Sequence, residues 1–380
     1  MKGKCILCNS SLGIKPLLSL SNMPSSAQNI PTEKDLSEDK GLDLSLYQCK
    51  CCGLVQFDCE PVDYYRKVIR AGGGTKTMVD LRREQYAKFT EAFNLHGKKI
   101  LEVGCGQGEF LEIWKDFDIH AVGIEYSSDL VKQAKQKELE VYQDFIEDKN
   151  AKIIGAPYDA FVQFNFLEHQ PYPNQMLQGI YQNLSDEGVG LVTVPSLEYI
   201  LQYNGYYELI RDHIAYYSAD TLKLLFQKNG FEVLNCEIVN RDTLSIWVKK
   251  RKQVDVSNWK ESFSVLKGEI TKLLDTIKGN GGNLAIWGAS HQGFTLMPIL
   301  EISSRISYVI DSAPFKQGKF APASHVPIVP PDYFYTHPVE AILIVAPGYT
   351  DEIAGIIRDK FGLSVQVYTL RSNHLEKIQL

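Results

Sequence analysis

Lys99-Ile100-Leu101-Glu102-Val103-Gly104-Cys105-Gly106-Gln107-Gly108 is the stretch on which the fold turns. Residues 99–103 read as an apolar strand carrying one acid. The strand runs directly into three glycines at alternate positions, and a helix is predicted from about Glu109. Glycine lets the backbone turn sharply and approach a ligand where any β-carbon would clash. Amide groups at the start of a helix then attract a carboxylate or a phosphate. Glu125 ends the next apolar run, 21 residues after Gly104, where a carboxylate can bind the two hydroxyls of a ribose. Strand, glycine turn, helix start and acidic strand end together predict a nucleotide-type ligand on a parallel α/β sheet.

The loop itself narrows the ligand. Dinucleotide sites follow G-x-G-x-x-G, and here the third glycine, Gly108, comes one residue early. Glu102, just before the turn, suits the cationic amino-acid end of S-adenosylmethionine. Asp144, in Tyr142-Gln143-Asp144-Phe145, stands where such sites contact the adenine amino group. The predicted cofactor set is Glu102, Gly104, Gly106, Gly108, Glu125, Asp144 and Phe164, the last near the end of a buried strand over 160–166. A purely structural glycine turn and an NAD-dependent oxidoreductase are the readings against it.

Outward from the loop, the chain of 380 residues divides into three. Residues 1–80 show little periodicity and too few apolar residues to bury a core without a staple. Residues 81–252 alternate strand and helix patterns and close on two runs, 231–235 and 244–249, that fit an antiparallel hairpin at a sheet edge. Residues 253–380 open with a helix over about 257–278 and repeat the α/β alternation, so two Rossmann-like sheets are expected. A net charge of −6 and the single short basic run Lys249-Lys250-Arg251-Lys252 argue against a nucleic-acid partner. No apolar stretch approaches the roughly 18 residues of a membrane span, and no signal segment precedes Cys5, so a cytoplasmic protein is expected.

Six of the eight cysteines lie in the first 59 residues. Cys5-x-x-Cys8 and Cys49-x-x-Cys52 each put two thiolates on a tight turn, and together they complete a tetrahedral structural zinc site with no open position for catalysis. Cys51 points away or substitutes for Cys49, and Cys59 has no partner at ligand spacing.

These motifs together resemble the sugar C-methyltransferase family of bacterial deoxysugar pathways, over the whole chain. The resemblance rests on the two cysteine pairs with Gly53-Leu54-Val55-Gln56, on Leu101-Glu102-Val103-Gly104-Cys105-Gly106, on Leu167-Glu168-His169 and on Asp212-His213-Ile214-Ala215-Tyr216-Tyr217-Ser218. In the last third it rests on Trp287-Gly288-Ala289-Ser290-His291-Gln292-Gly293 and Ile310-Asp311-Ser312-Ala313-Pro314-Phe315-Lys316-Gln317-Gly318. It implies a class I S-adenosylmethionine-dependent methyltransferase domain flanked by an N-terminal zinc-binding domain and a C-terminal Rossmann-like domain. It also implies a nucleotide-sugar substrate and a product destined for a surface polysaccharide or another glycoconjugate; the oligomeric state, monomer or homodimer, stays open.

In that family a base removes the acidic proton beside a ketone, and the enolate attacks the methyl group. A histidine, with an ordinary pKa of about 6.5, suits the task. The resemblance makes His213 the base with Asp212 orienting its ring, and gives His169, beside Glu168, the ketone oxygen to bind or the enolate to stabilise. The sequence departs from the family where Ile210 replaces a tyrosine and where the loop over 68–77 lacks one, leaving Arg70 or Lys76 to supply charge. Tyr206, Tyr207, Tyr216 and Tyr217 surround the acid–histidine motif as core, pocket wall or replacement hydroxyls. O-methylation of a similar sugar and a non-catalytic zinc-bearing protein stay open. So does the loop 288–293, as a nucleotide site or as a relic of a duplicated fold.

Overall fold

The computed structural model describes residues 3–67, 74–371 and 373–379. Two compact units divide them, residues 1–252 and residues 253–380. Among the described residues no helix is long and apolar enough to cross a membrane.

The first unit opens with strands β1 (Leu18–Met23), β2 (Leu42–Gln48) and β3 (Val55–Phe57), which pair antiparallel. Helix α1 (Lys76–Phe93) leads into the main sheet: β4 (Lys98–Val103), β5 (Ile119–Glu125), β6 (Val141–Gln143), β7 (Tyr158–Phe164) and β8 (Leu184–Pro195). A two-residue strand, β9 (Ala215–Tyr216), leaves this sheet and pairs with β3. The expected boundary near residue 80 is therefore bridged, because residues of the acid–histidine motif complete the N-terminal sheet. Cys5, Leu7 and Leu54 share one apolar cluster with Phe161, Phe226 and Phe231, so the N-terminal segment borrows its core from the larger sheet.

Strands β10 (Phe231–Val239) and β11 (Thr243–Lys250) form the hairpin that the sequence predicts. Its three-residue turn, 240–242, holds Asn240 and Arg241 in the left-handed region at φ 45° and 69°. The sheet order is β10-β11-β8-β7-β4-β5-β6, with β11 antiparallel to β8 and the five strands from β8 to β6 mutually parallel. The order reverses at β4, between β5 and β7. Open parallel sheets bind ligands at such a switch point, outside the carboxyl ends of the strands.

One local expectation fails. The helix predicted from Glu109 is a 3₁₀ segment, Leu111–Asp116. Its buried Trp114 stacks on Tyr86 of α1 with ring centroids 3.6 Å apart, and this packing draws the segment against α1 in a tighter spiral.

The second unit has helix α2 (Ser257–Gly279), then β12 (Leu284–Trp287), α3 (His291–Ile299), β13 (Ile306–Ile310), β14 (Ile328–Val329), β15 (Ala341–Ile344), α4 (Thr350–Phe361), β16 (Gln366–Arg371) and β17 (His374–Ile378). The sheet order is β14-β13-β12-β15-β16-β17, parallel except for β17.

Candidate active site

After β4 the chain holds Gly104, Gly106 and Gly108 at φ 71°, 59° and 81°. A residue with a β-carbon would pay about 1–2 kcal/mol at each position, which is why all three are glycine. The turn is pinned to the neighbouring strand: the amides of Gly104 and Cys105 donate to the carbonyl of Ile124 at 3.0 and 3.1 Å. The Glu125 carboxylate accepts from the amide of Gly106 at 3.1 Å and from that of Ser127 at 2.8 Å. The next strand is tied in through the amide of Asp144, which donates to the carbonyl of Glu125 at 3.1 Å. Glu102 lies buried on β4.

Glu125 and Asp144 border connected clefts. One of about 440 Å³ is lined by Tyr126, Gln143, Asp144, Phe145 and Glu147 among others. A narrow crevice links Gly104, Glu125, Tyr126, Asp144, Phe145, Phe166 and Met176. An acid buried below an open glycine turn, two carboxylates at neighbouring strand ends and aromatic walls match the cationic, ribosyl and adenine parts of S-adenosylmethionine.

Phe164, assigned to the cofactor from the sequence, belongs instead to the core beneath the loop. Its ring faces Phe110 at 5.6 Å and carries the Arg82 guanidinium at 3.4 Å from its centroid. Alternate residues of β7 (Ala160, Val162, Phe164) face the α1 layer, and the left-handed turn at Asn165 (φ 47°) redirects the chain. The ring that meets the glycine turn is therefore Phe166. A β-carbon on Gly104 would sit 3.3 Å from it.

Three further residues were not read from the sequence. Tyr126 and Phe145 wall the clefts, and Arg66 reaches in from the N-terminal segment. The Arg66 guanidinium pairs with Glu147 at 2.9 Å and lies 5.0, 5.8 and 5.5 Å from the centroids of Tyr65, Tyr126 and Phe145. Tyr126 and Phe145 each directly follow an assigned acid, and that adjacency was the available signal.

At the end of β7 a short turn, Leu167–His169, brings Glu168 and His169 beside the acid–histidine motif. The backbone sews the two together: the amide of Ile214 donates to the carbonyl of Glu168 at 2.9 Å, and the amide of Phe57 donates to the carbonyl of Ile214 at 3.0 Å. The rings of His169 and His213 meet edge to face with centroids 4.7 Å apart. Side-chain donor atoms of Glu168, His169 and His213 all lie within 4.8 Å of one another.

His169 Nδ1 is 2.8 Å from the carbonyl oxygen of Asp212. A carbonyl only accepts, so Nδ1 carries the proton and Nε2 presents a lone pair. Burial drops the His169 pKa to about 4. Burial, and then the neighbouring His169, drop that of His213 to about 3. Both rings are therefore neutral near pH 7.

Asp212 does not orient His213 as the sequence suggested. Its carboxylate accepts from the Tyr64 hydroxyl and, at 2.9 Å, from the amide of Ala27. The two tyrosine pairs also separate. Tyr206 and Tyr207 are 76% and 71% exposed, whereas Tyr216 and Tyr217 are buried. The Tyr216 hydroxyl accepts from the amide of Ile210 at 3.0 Å and so braces the motif from behind. Lys76 pairs with Asp80 at 2.6 Å on the exposed start of α1, and Arg70 lies outside the described residues.

Cys5, Cys8, Cys49 and Cys52 bring their sulfurs within 4.8 Å of one another, with Cys5–Cys52 and Cys8–Cys49 at 3.4 Å. A tetrahedron of thiolates 2.3 Å from zinc has edges of about 3.8 Å, so the donor set fits that ion. Gly53, at φ 82°, turns the second pair, and its amide donates to the carbonyl of Cys49. Cys51 is exposed, and Cys59 stands apart from the cluster.

Residues 78–235 match a family described as a methyltransferase domain, and residues 249–361 match one described as a C-methyltransferase C-terminal domain. The chain is similar to the C-methyltransferase NovU of Streptomyces niveus, with 22% identity over 375 residues, covering 89% of this chain and 88% of that protein. It is 29% identical over 109 residues to a ubiquinone biosynthesis O-methyltransferase of Haemophilus ducreyi, covering 26% of this chain and 46% of that protein. Among solved structures, an S-adenosylmethionine-dependent methyltransferase from Clostridium acetobutylicum aligns over 50% of this chain and 96% of its own, with 13% identity and a TM-score of 0.39.

Proposed function

We propose that this S-adenosylmethionine-dependent methyltransferase puts its methyl group on carbon, beside the ketone of a nucleotide-linked keto sugar, with His213 as the base. The enzyme class sets aside the NAD-dependent alternative. The observation that carries the proposal is the pair of buried, neutral histidines at the carboxyl end of β7, at the sheet's switch point. Either acceptor needs an unprotonated base, for the hydroxyl proton in O-methylation and for the proton beside the ketone in C-methylation, and only the second passes through an enolate.

His213 would accept the proton from the carbon beside the ketone, and that C–H electron pair would become the enolate. S-adenosylmethionine, bound along Glu102, the 104–108 turn, Glu125 and Asp144, supplies an electrophilic methyl on a sulfonium. His169 takes a different part from the one read in the sequence. With Nδ1–H donated to the Asp212 carbonyl, its Nε2 lone pair cannot polarise a ketone; it can accept a hydrogen bond from His213 or from a substrate hydroxyl. The four thiolates of Cys5, Cys8, Cys49 and Cys52 would hold a structural Zn²⁺ that stiffens the N-terminal sheet against which β9 packs. Similarity to a C-methyltransferase over most of both chains supports carbon rather than oxygen as the acceptor. The product would feed a surface polysaccharide or another glycoconjugate.

The test is proton exchange. In D₂O, with S-adenosylhomocysteine present and a panel of nucleotide-linked 4-keto sugars, the wild type should wash deuterium into the carbon beside the ketone, and His213→Asn should not. No exchange by the wild type on any keto sugar, together with methyl ethers as products, would make the enzyme an O-methyltransferase.

A further inference from the structure

Among the described residues the Asp212 carboxylate is gripped by the N-terminal segment. Tyr64 and Ala27, both from the N-terminal segment, donate to its two carboxylate oxygens. The preceding Arg211 is held by the same segment: its guanidinium donates to the carbonyls of Ser25 at 2.9 Å and Glu60 at 3.3 Å. On its other face the Asp212 backbone carbonyl receives Nδ1–H of His169. Burial, and then Asp212 itself, push the Tyr64 pKa up, so its hydroxyl remains a donor throughout the working range.

We infer that Tyr64 is a positioning residue for the histidine pair, acting through Asp212 to set the tautomer of His169. The inference rests on the reading of His213 as the base. The chemistry is a relay of positions rather than of protons. Tyr64 and Ala27 fix the Asp212 side chain, the fixed Asp212 fixes its own carbonyl, and the carbonyl holds the proton of His169 on Nδ1. His169 is then left with its lone pair on Nε2, edge to face with the His213 ring at 4.7 Å, and a fixed tautomer there would favour one proton arrangement on His213. This gives the zinc-bearing N-terminal segment a part in the chemistry without contact with substrate. It also replaces the acid–imidazole pair that the motif suggests with a tyrosine–aspartate clamp.

The experiment uses the full chain labelled with ¹⁵N-histidine, read by long-range ¹H–¹⁵N correlation, alongside methyl-transfer kinetics on whichever nucleotide-linked 4-keto sugar the wild type methylates. In the wild type His169, identified by the loss of its signals in His169→Gln, should show a single Nδ1–H tautomer. Tyr64→Phe should mix the tautomers and lower kcat on the order of ten- to a hundred-fold, the scale of a small misplacement at a reacting centre. The KM for S-adenosylmethionine should stay within about twofold, since neither Tyr64 nor Asp212 lines the clefts beside the 104–108 turn. Asp212→Asn should act in the same direction, and it decides by the same spectrum if Tyr64→Phe does not fold. An unchanged His169 spectrum in the variants overturns the inference. So does an inactive Asp212→Asn beside a fully active Tyr64→Phe, which would restore Asp212 as the direct partner of His213. If Tyr64→Phe mixes the tautomers while His213→Asn still transfers methyl groups, the clamp stands and the assignment of the base falls.

Discussion

The turn after β4 and the turn after β12 occupy the same place in two parallel sheets, yet their glycines face different things. Gly104 and Gly106 look toward side chains, the ring of Phe166 at 3.3 Å and the carboxylate of Glu109 at 3.2 Å, measured from where a β-carbon would stand. Gly288 and Gly293 press on backbone: a β-carbon would lie 2.6 Å from the carbonyl oxygen of Val345 in the first case and 2.3 Å from that of Gly288 in the second. The acids differ as well. Glu125 accepts from two amides at the edge of an open cleft. Asp311 accepts from the amides of Ala289 and Ala313, both at 2.9 Å, and also pairs with Lys316 at 2.9 Å. In the second turn the anion that a helix start attracts is supplied by the protein's own Asp311. Similar glycine–acid patterns thus border an open cleft in one unit and press on backbone in the other.

The largest contrast should come from the histidines. His213→Asn should cost roughly 10²- to 10⁴-fold in methyl transfer, typical of a lost general base, whereas His291→Asn, at the exposed start of α3, should cost nothing. Steady-state rates decide, and an equal loss in both would put chemistry in the second unit.

The acids come next. Glu125→Ala should weaken S-adenosylhomocysteine roughly 10- to 100-fold by calorimetry, the scale of a hydrogen bond to a charged group. Asp311→Ala should leave that affinity unchanged, and a matching loss would mean that both turns serve the ligand.

A pH effect should mark the first unit. The folded pKa of His169, about 4, lies below its unfolded value near 6.5, so the folded state binds fewer protons. Its contribution is complete above pH 6.5 and is lost as the pH falls toward 4, on the order of 3 kcal/mol. His169→Gln should flatten this decline in denaturant titrations, and a slope as steep as that of the wild type would contradict the burial argument.

The smallest effect is on packing. Gly293→Ala should destabilise the second unit by about 1–3 kcal/mol without altering S-adenosylhomocysteine binding. Gly106→Ala, at φ 59°, should cost about 1–2 kcal/mol and also weaken S-adenosylhomocysteine, and thermal melts with and without ligand separate the two.

What the sequence made legible follows local rules. The turn 104–108, Glu125 and the cysteine pairs are contiguous signals whose geometry follows from spacing, and the structure brings each set together as read. The hairpin β10–β11 was equally local. Phe164 was misplaced because strand alternation assigns faces only relative to a layer, and which layer covers which face is a tertiary fact. The 3₁₀ segment Leu111–Asp116 was hidden for the same reason, since its path is set by Trp114 stacking on Tyr86. Asp212 and His213 are neighbours in sequence, and adjacency suggested that they act on each other. The true partner of the carboxylate, Tyr64, lies 148 residues away. No spacing rule reaches that far.

The most direct test of carbon methylation is the product itself. Incubation with S-adenosylmethionine carrying a ¹³C methyl group and the panel of nucleotide-linked 4-keto sugars, followed by mass and NMR analysis, should give a labelled methyl bonded to the ring carbon beside the ketone. A labelled methoxy group on a sugar hydroxyl would contradict it.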